Sequence, residues 1–258
     1  MKRAAGIEYD DRGEGPPVIC LHGIGGDTTS FGPQMEGLPG LRVIAVNLPG
    51  YGSSDTMNQP TFPKLASAVA AFLDALGLKT AHLCGQSIGG MIAMETACLY
   101  PDRVTSLALI GTTSAFGGRD NSFKDAFVSA RLKPLDAGET LATLAPKFVP
   151  EITGPDVSDD ARESAIASMA AVPEATYRAI IRCLVTFNRR DDISDLRMPA
   201  CLIAGEHDTN APAKTMARMA EKIPHAEYHV VAGAGHLINL EKGAQTNAIL
   251  NAYYGRLS

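Results

Sequence analysis

The sequence predicts an α/β protein, a mostly parallel, doubly wound sheet that carries one all-helical insertion. Three observations lead there. Short apolar runs alternate with amphipathic stretches over residues 1–114, the alternation stops across 115–195, and it resumes over 196–258. Strands separated by helices cannot pair as hairpins, so they lie parallel with helices on both faces. A helical excursion between two such strands is expected to form a lid over the C-terminal edge of the sheet, where open α/β sheets bind ligands.

Residues 18–21, 43–46, 81–84, 106–110, 201–204 and 228–231 read as buried strands, because each run is short and apolar. The helix before the third run carries Leu65, Val69, Phe72, Leu73 and Leu76, and a later one carries Met216, Met219, Ala220 and Ile223. Both sets recur at helical spacing and are expected to pack into the core. Within the insertion, helices are expected over 123–131, 159–171 and 175–187, with Pro134, Pro146, Pro150, Pro155 and Pro173 as separators. Ser158 before Asp159 and Asp160 reads as a helix start, a capping hydroxyl followed by acids at the positive dipole end.

Composition narrows the function. The chain has 258 residues, 45% hydrophobic and 20% charged, an ordinary globular balance. Its 23 basic and 28 acidic side chains give a net charge of −5, which argues against a nucleic-acid surface or a basic membrane-binding face. No apolar run reaches the length of a bilayer, and Met1-Lys2-Arg3 leads into Glu8-Tyr9-Asp10-Asp11 rather than an apolar leader core. Cys20, Cys84 and Cys201 sit in apolar runs, where reduced thiols pack as small hydrophobes, so a cytoplasmic location is expected. There is no C-x-x-C, and the chain between His225 and His229 enters a strand, so no metal site and no cofactor are expected. The expected partner is a small molecule; a homo-oligomer is left open.

The chemistry centres on Gly85-Gln86-Ser87-Ile88-Gly89. Such a pattern arises by chance in roughly one chain of this length in ten, so its flanks carry the weight. An apolar strand precedes it, and a Met- and Ala-rich helical stretch, Gly90 to Ala97, follows. A serine at so sharp a strand-to-helix turn is strained, with its hydroxyl thrust out of the sheet. The glycines let strand and helix approach each other. The helix N-terminus adds free N–H groups beside the place where an oxyanion would form.

A serine hydroxyl needs a base, and the base needs a third group to orient it. Asp208 follows the 201–204 strand, and His236 lies in the small-residue loop after the last strand. Parallel strands would bring Ser87, Asp208 and His236 to one sheet edge. Asp191, Asp192 and Asp195 precede the 201–204 strand and would lie at its wrong end. The oxyanion donors are expected to be the amides of Ile88 and of Ile24, the latter within His22-Gly23-Ile24-Gly25-Gly26.

At these residues the chain resembles the α/β-hydrolase family, over nearly its whole length. The resemblance also takes in Asn47-Leu48-Pro49-Gly50-Tyr51-Gly52-Ser53-Ser54-Asp55, similar to the family's D-x-x-G-x-G-x-S turn with Asn47 in place of the acid, and Tyr100-Pro101-Asp102-Arg103-Val104. With the insertion and Gly235-His236-Leu237-Ile238-Asn239-Leu240-Glu241, it looks most like carboxylesterases and 3-oxoadipate enol-lactonases. The resemblance implies a serine-dependent hydrolase of small carboxylic esters or lactones, working through an acyl-enzyme. The same triad would serve a carbon–carbon bond hydrolase of ring-cleavage products, and a cofactor-free oxygenase or perhydrolase stands further off. Epoxide hydrolases and dehalogenases of the family use an aspartate where Ser87 stands. Outside the enzymes, the triad fits a ligand receptor with little turnover.

Other residues have two readings each. Gln86 and Phe31 are candidates for substrate binding, against packing under the lid or within a helix. His22 is expected to shape the oxyanion loop and His207 to face solvent. Arg178 and Arg182, four apart, suit either an anion clamp or a solvated helix face. Arg189 and Arg190 with Asp191 and Asp192 read as a surface charge cluster. Gly23-Ile24-Gly25-Gly26-Asp27-Thr28 lacks the last glycine of a dinucleotide fingerprint, and the next strand ends without a carboxylate.

Overall fold

Ile19 and Leu21 face one way from their strand, Val18 and Cys20 the other, and all four are at most 1% exposed. A strand apolar on both sides has to be covered twice. In the computed structural model, which describes residues 1–117 and 121–257, helices supply both covers. The strands are β1 (Lys2–Ala4), β2 (Ile7–Arg12), β3 (Pro17–Leu21), β4 (Arg42–Val46), β5 (Ala81–Gln86), β6 (Val104–Ile110), β7 (Ala200–Gly205) and β8 (Glu227–Val231). They form one sheet in the order β1-β2-β4-β3-β5-β6-β7-β8. The pairs β1–β2 and β2–β4 are antiparallel and the rest parallel.

Helices α1 (Gly32–Gly37), α2 (Phe62–Ala75) and α3 (Ile88–Leu99) precede β6. Helices α4 (Asn121–Asp136), α5 (Leu141–Ile152), α6 (Asp159–Ala171) and α7 (Glu174–Leu184) stand between β6 and β7, and α8 (Ala213–Ala220), α9 (Ile238–Glu241) and α10 (Gly243–Gly255) follow. Side chains of α2, α3 and α8 pack on the Ile19 face, and those of α1 and α10 on the Val18 face. Among the described residues no helix is long and apolar enough to cross a membrane.

Three elements depart from the sequence expectation. The β1–β2 hairpin has no apolar run to mark it because its strands are charged, as suits a sheet edge; in β2 only Ile7 and Tyr9 are buried. Helix α5 holds Pro146 and Pro150, expected as separators, inside its span. Both rings lie on its exposed side, while Leu141, Leu144, Ala145 and Val149 are buried and a Thr140–Thr143 capping box starts the helix. Pro134 likewise lies inside α4.

The four-helix stretch leaves and rejoins the sheet through one neck. Ala115 pairs with Asn188 as an antiparallel bridge, Phe116 donates to the Phe187 carbonyl (2.9 Å) and Arg189 to the Ser114 carbonyl (2.7 Å). The Arg189 side chain is no loose member of a surface cluster. Its guanidinium forks onto buried Glu95 of α3 at 2.7 and 2.9 Å and also reaches Asp192 at 2.9 Å.

Candidate active site

Parallel register brings the ends of the central strands level: Leu21 pairs with Gly85, Gln86 with Ile110, Ile110 with Ile203, and Gly205 with Val231. The loops after these strands open onto one edge, and Ser87, Asp208 and His236 meet there. Ser87 has φ +55°, a region that costs an L-residue strain, and its amide donates to the Ile110 carbonyl at 2.9 Å. Its carbonyl is held by the Thr112 hydroxyl at 2.7 Å. The flanking glycines are sterically required. A Cβ on Gly85 would sit 2.3 Å from the Gly89 carbonyl oxygen, and one on Gly89 would sit 2.0 Å from that of Leu21.

His236 Nε2 lies 3.0 Å from Ser87 Oγ, and its Nδ1 lies 2.8 Å from Asp208 Oδ2. Burial alone would raise the Asp208 carboxyl. The charge and hydrogen bond of His236, then the Ala211 and Asn210 amides, outweigh it and hold the group below the usual carboxylate value. An ionised Asp208 only accepts, so Nδ1 carries the proton and Nε2 is free to accept from the serine. Asp191, Asp192 and Asp195 lie before β7, away from this edge, and His207 is half exposed.

Two supports of the site were not read from the sequence. The His236 amide donates to the Ile152 carbonyl, at the end of α5, over 2.7 Å. Glu241, 9% exposed, accepts from the amides of Gly154 (2.6 Å), Gly235 (2.9 Å) and Leu237 (2.9 Å). The only sequence signal was an acid five residues beyond His236. Gln86 lines the cavity, and its amide is engaged: Nε2 donates to the His236 carbonyl at 2.9 Å.

The loop after β3 is built around His22. Its Nδ1–H donates to the Gly23 carbonyl at 2.7 Å, leaving Nε2 to accept from the Leu48 amide at 3.0 Å. Burial pulls its pKa down to about 4, against the opposing pull of the Gly23 carbonyl and Asp27, so the ring is neutral. The Tyr51 hydroxyl donates to the Ile24 carbonyl at 2.8 Å, which fixes the peptide plane in this loop. Asn47 takes the acid's place in the next turn because the carboxylate comes from β2. Asn47 Nδ2 donates to Glu8 at 2.7 Å while its oxygen accepts from the Thr28 amide at 3.1 Å.

A cavity of about 580 Å³ opens over Ser87 and His236, walled on its far side by insertion residues including Phe127, Phe148, Met169 and Tyr177. Ile24 lines it; Ile88, fully buried, is the first residue of α3, so its amide has no partner within the helix. Phe31 does not take part. It is fully buried on the α1–α10 side of the sheet, a consequence of packing the turn that leads into α1. Arg178 and Arg182 are also absent from the cavity wall. Arg178 ties α7 to α4 by pairing with Asp136 (2.6 Å) and Glu174 (2.7 Å), and Arg182 is exposed.

Away from the cavity, Cys201, Glu227 and His229 bring ligand-type atoms within 4.8 Å of one another. Arg256 already pairs with Glu227, and burial pushes the Cys201 thiol well up and holds it protonated, a poor donor set for a metal.

The sequence model described as alpha/beta hydrolase fold matches residues 16–243. The dihydrolipoyllysine-residue acetyltransferase component of the acetoin cleaving system of Pseudomonas putida is 29% identical over 249 residues. That match takes in 93% of this chain and 63% of the relative, so the chain spans less than two thirds of its length. The 3-oxoadipate enol-lactonase 1 of Acinetobacter baylyi is 26% identical over 88% of this chain and 84% of its own. A thermophilic esterase from Thermogutta terrifontis shares the fold at a TM-score of 0.89, with 24% identity over 97% of this chain and 93% of the esterase.

Proposed function

Because the chain belongs to the alpha/beta hydrolase fold family, we propose that it is a serine-dependent hydrolase of small carboxylic esters or lactones that works through an acyl-enzyme. One observation carries the reading: the continuous chain of contacts from Ser87 Oγ through His236 to Asp208, at 3.0 and 2.8 Å. The similarity to an enol-lactonase supports the substrate class.

In this reading His236 Nε2 takes the Ser87 proton as the hydroxyl oxygen attacks the carbonyl carbon. Asp208 fixes the tautomer and stabilises the imidazolium. The Ile24 and Ile88 amides receive the oxyanion, an effect worth roughly 3–4 kcal/mol per donor in comparable sites. The tetrahedral intermediate collapses, His236 protonates the departing alkoxide, and water then attacks the acyl-enzyme with His236 again as base. The strained φ of Ser87 keeps its hydroxyl at the cavity floor, and residues 115–195 act as the lid that bounds the substrate space.

The test is a panel of p-nitrophenyl and alkyl esters, lactones and one carbon–carbon ring-cleavage substrate. Many turnovers per chain on an ester or lactone, lost in Ser87→Ala, are expected. Stalling after one event, with altered affinity for a partner, would favour a receptor. Undiminished turnover by Ser87→Ala would overturn the proposal.

A further inference from the structure

Seven described arginines are partly buried: Arg42, Arg103, Arg131, Arg162, Arg178, Arg189 and Arg190. Five of them meet a carboxylate within 3.0 Å. Arg131 and Arg190 meet none among the described residues, and these are the two that line the cavity. Both guanidiniums are partly buried and face one cavity without a carboxylate among the described residues, which leaves them available to an anion. No Asp, Glu or Lys is among the described lining residues.

The setting of Arg131 is specific. It projects from α4 with its guanidinium carbon 5.2 Å from the Phe127 ring centre and 5.1 Å from that of Phe148. At these distances both rings attract the planar cation and hold it at the cavity. Arg190, beyond the neck, donates to the Gly117 carbonyl at 3.2 Å. Apolar side chains, Met169, Ile181 and Leu184 among them, line the same cavity.

We infer that the substrate has an anionic end, carboxylate or phosphate, joined by an apolar stem to the carbonyl presented to Ser87, and that Arg131, with Arg190 lining the same cavity, receives that end. Arg178 and Arg182, whose spacing suits either a clamp or a solvated helix face, lie off the cavity wall, and the two cations that line it are ones no spacing singled out. The inference rests on the proposed hydrolase reading for the fate of the other end, whereas recognition of the anion is measurable without turnover.

Calorimetric titration of the full chain with adipate, butyl phosphate and the neutral diamide of adipate tests it. At least one anion is expected to bind more tightly than the diamide, with that preference shrinking as salt is added. Which anion wins separates a carboxylate from a phosphate end. Arg131→Gln is expected to weaken anion binding about tenfold or more, the loss of one charge-assisted contact, with part restored in Arg131→Lys. Equal binding of anions and diamide to the native chain, or anion binding unchanged in Arg131→Gln, overturns the inference. Should Arg131→Gln fail to fold, salt dependence in the native chain and Arg190→Gln decide. A second readout is the kcat/KM ratio of monomethyl adipate to methyl hexanoate, expected to fall in Arg131→Gln. If no ester or lactone of the panel turns over, the hydrolase reading fails, and the binding titration still decides whether the cavity takes an anion.

Discussion

Glu241 accepts the Gly154 amide across 2.6 Å, joining the corner between α5 and α6 to the loop that carries His236. The same carboxylate takes the amides on either side of His236, at Gly235 and Leu237. In Glu241→Gln one oxygen becomes an NH2 facing N–H groups, and at least one buried donor loses its acceptor. A loss of about 1–3 kcal/mol in stability is expected. A drop of about tenfold or more in kcat should accompany it, since small misplacements of a base are costly to rate. Chemical unfolding and kcat on the same preparation check this; an unchanged kcat would remove Glu241 from any positioning role.

Substitution of Ser87 separates chemistry from strain. Ser87→Ala and Ser87→Gly should both lose turnover, but only glycine adopts φ +55° without penalty. The glycine variant is expected to be more stable than the alanine variant by about 1 kcal/mol, measured as the difference in urea midpoints. Equal midpoints would mean that the turn bears no strain.

The acid limb of stability involves Asp208. Its folded pKa lies below the ordinary value of 3.8, so its contribution is complete above that pH and is lost as pH falls through the lower folded value. Asp208→Asn should therefore flatten unfolding free energy against pH in that acidic window. It should also cut kcat by about 10⁴ through the wrong imidazole tautomer. Retained activity in Asp208→Asn would displace this residue from the triad.

His22 acts at higher pH. Its folded pKa of about 4 is below the ordinary 6.5, so the unfolded chain binds the extra proton between those values. Stability should fall by about 3 kcal/mol as pH drops from 6.5 to 4. His22→Asn, uncharged throughout, should lack that part of the slope. A variant with the wild-type slope would show that His22 titrates normally.

Glycine substitutions divide by location. Gly89→Ala drives a methyl to 2.0 Å from the Leu21 backbone oxygen and should cost about 3 kcal/mol or prevent folding. Gly32→Ala meets nothing within 4 Å at a helical φ and should be neutral or slightly stabilising. Thermal melts of the two variants side by side make the comparison.

The sheet and the Ser87–His236–Asp208 set were legible because each signal is local. A buried parallel strand is a continuous apolar run, and the three residues each follow one such run. What stayed hidden depends on partners distant in sequence. Arg189 looked like surface charge because Glu95, 94 positions away, gives no sequence sign of being its partner. Phe31 carries no mark of which sheet face it will join. Helix α5 was obscured by prolines whose rings fall on its solvent side, a matter of phase that two buried leucines settle only once a core exists. Arg131 has unremarkable spacing, and its significance arises from two rings and a cavity that the folded chain assembles.

The neck at Ala115 and Asn188 bears on how such a protein can diversify. Because the excursion departs and returns at adjacent backbones, its length and residues can drift across generations while the strands on either side keep their pairing. Ties to the rest of the chain limit that freedom, at Ile152 and Gly154, where the excursion grips the histidine loop, and at Thr176 of α7, whose hydroxyl donates to the Gly50 carbonyl at 3.0 Å. A new cavity lining is thus most accessible through rewriting of α4, with those ties inherited intact.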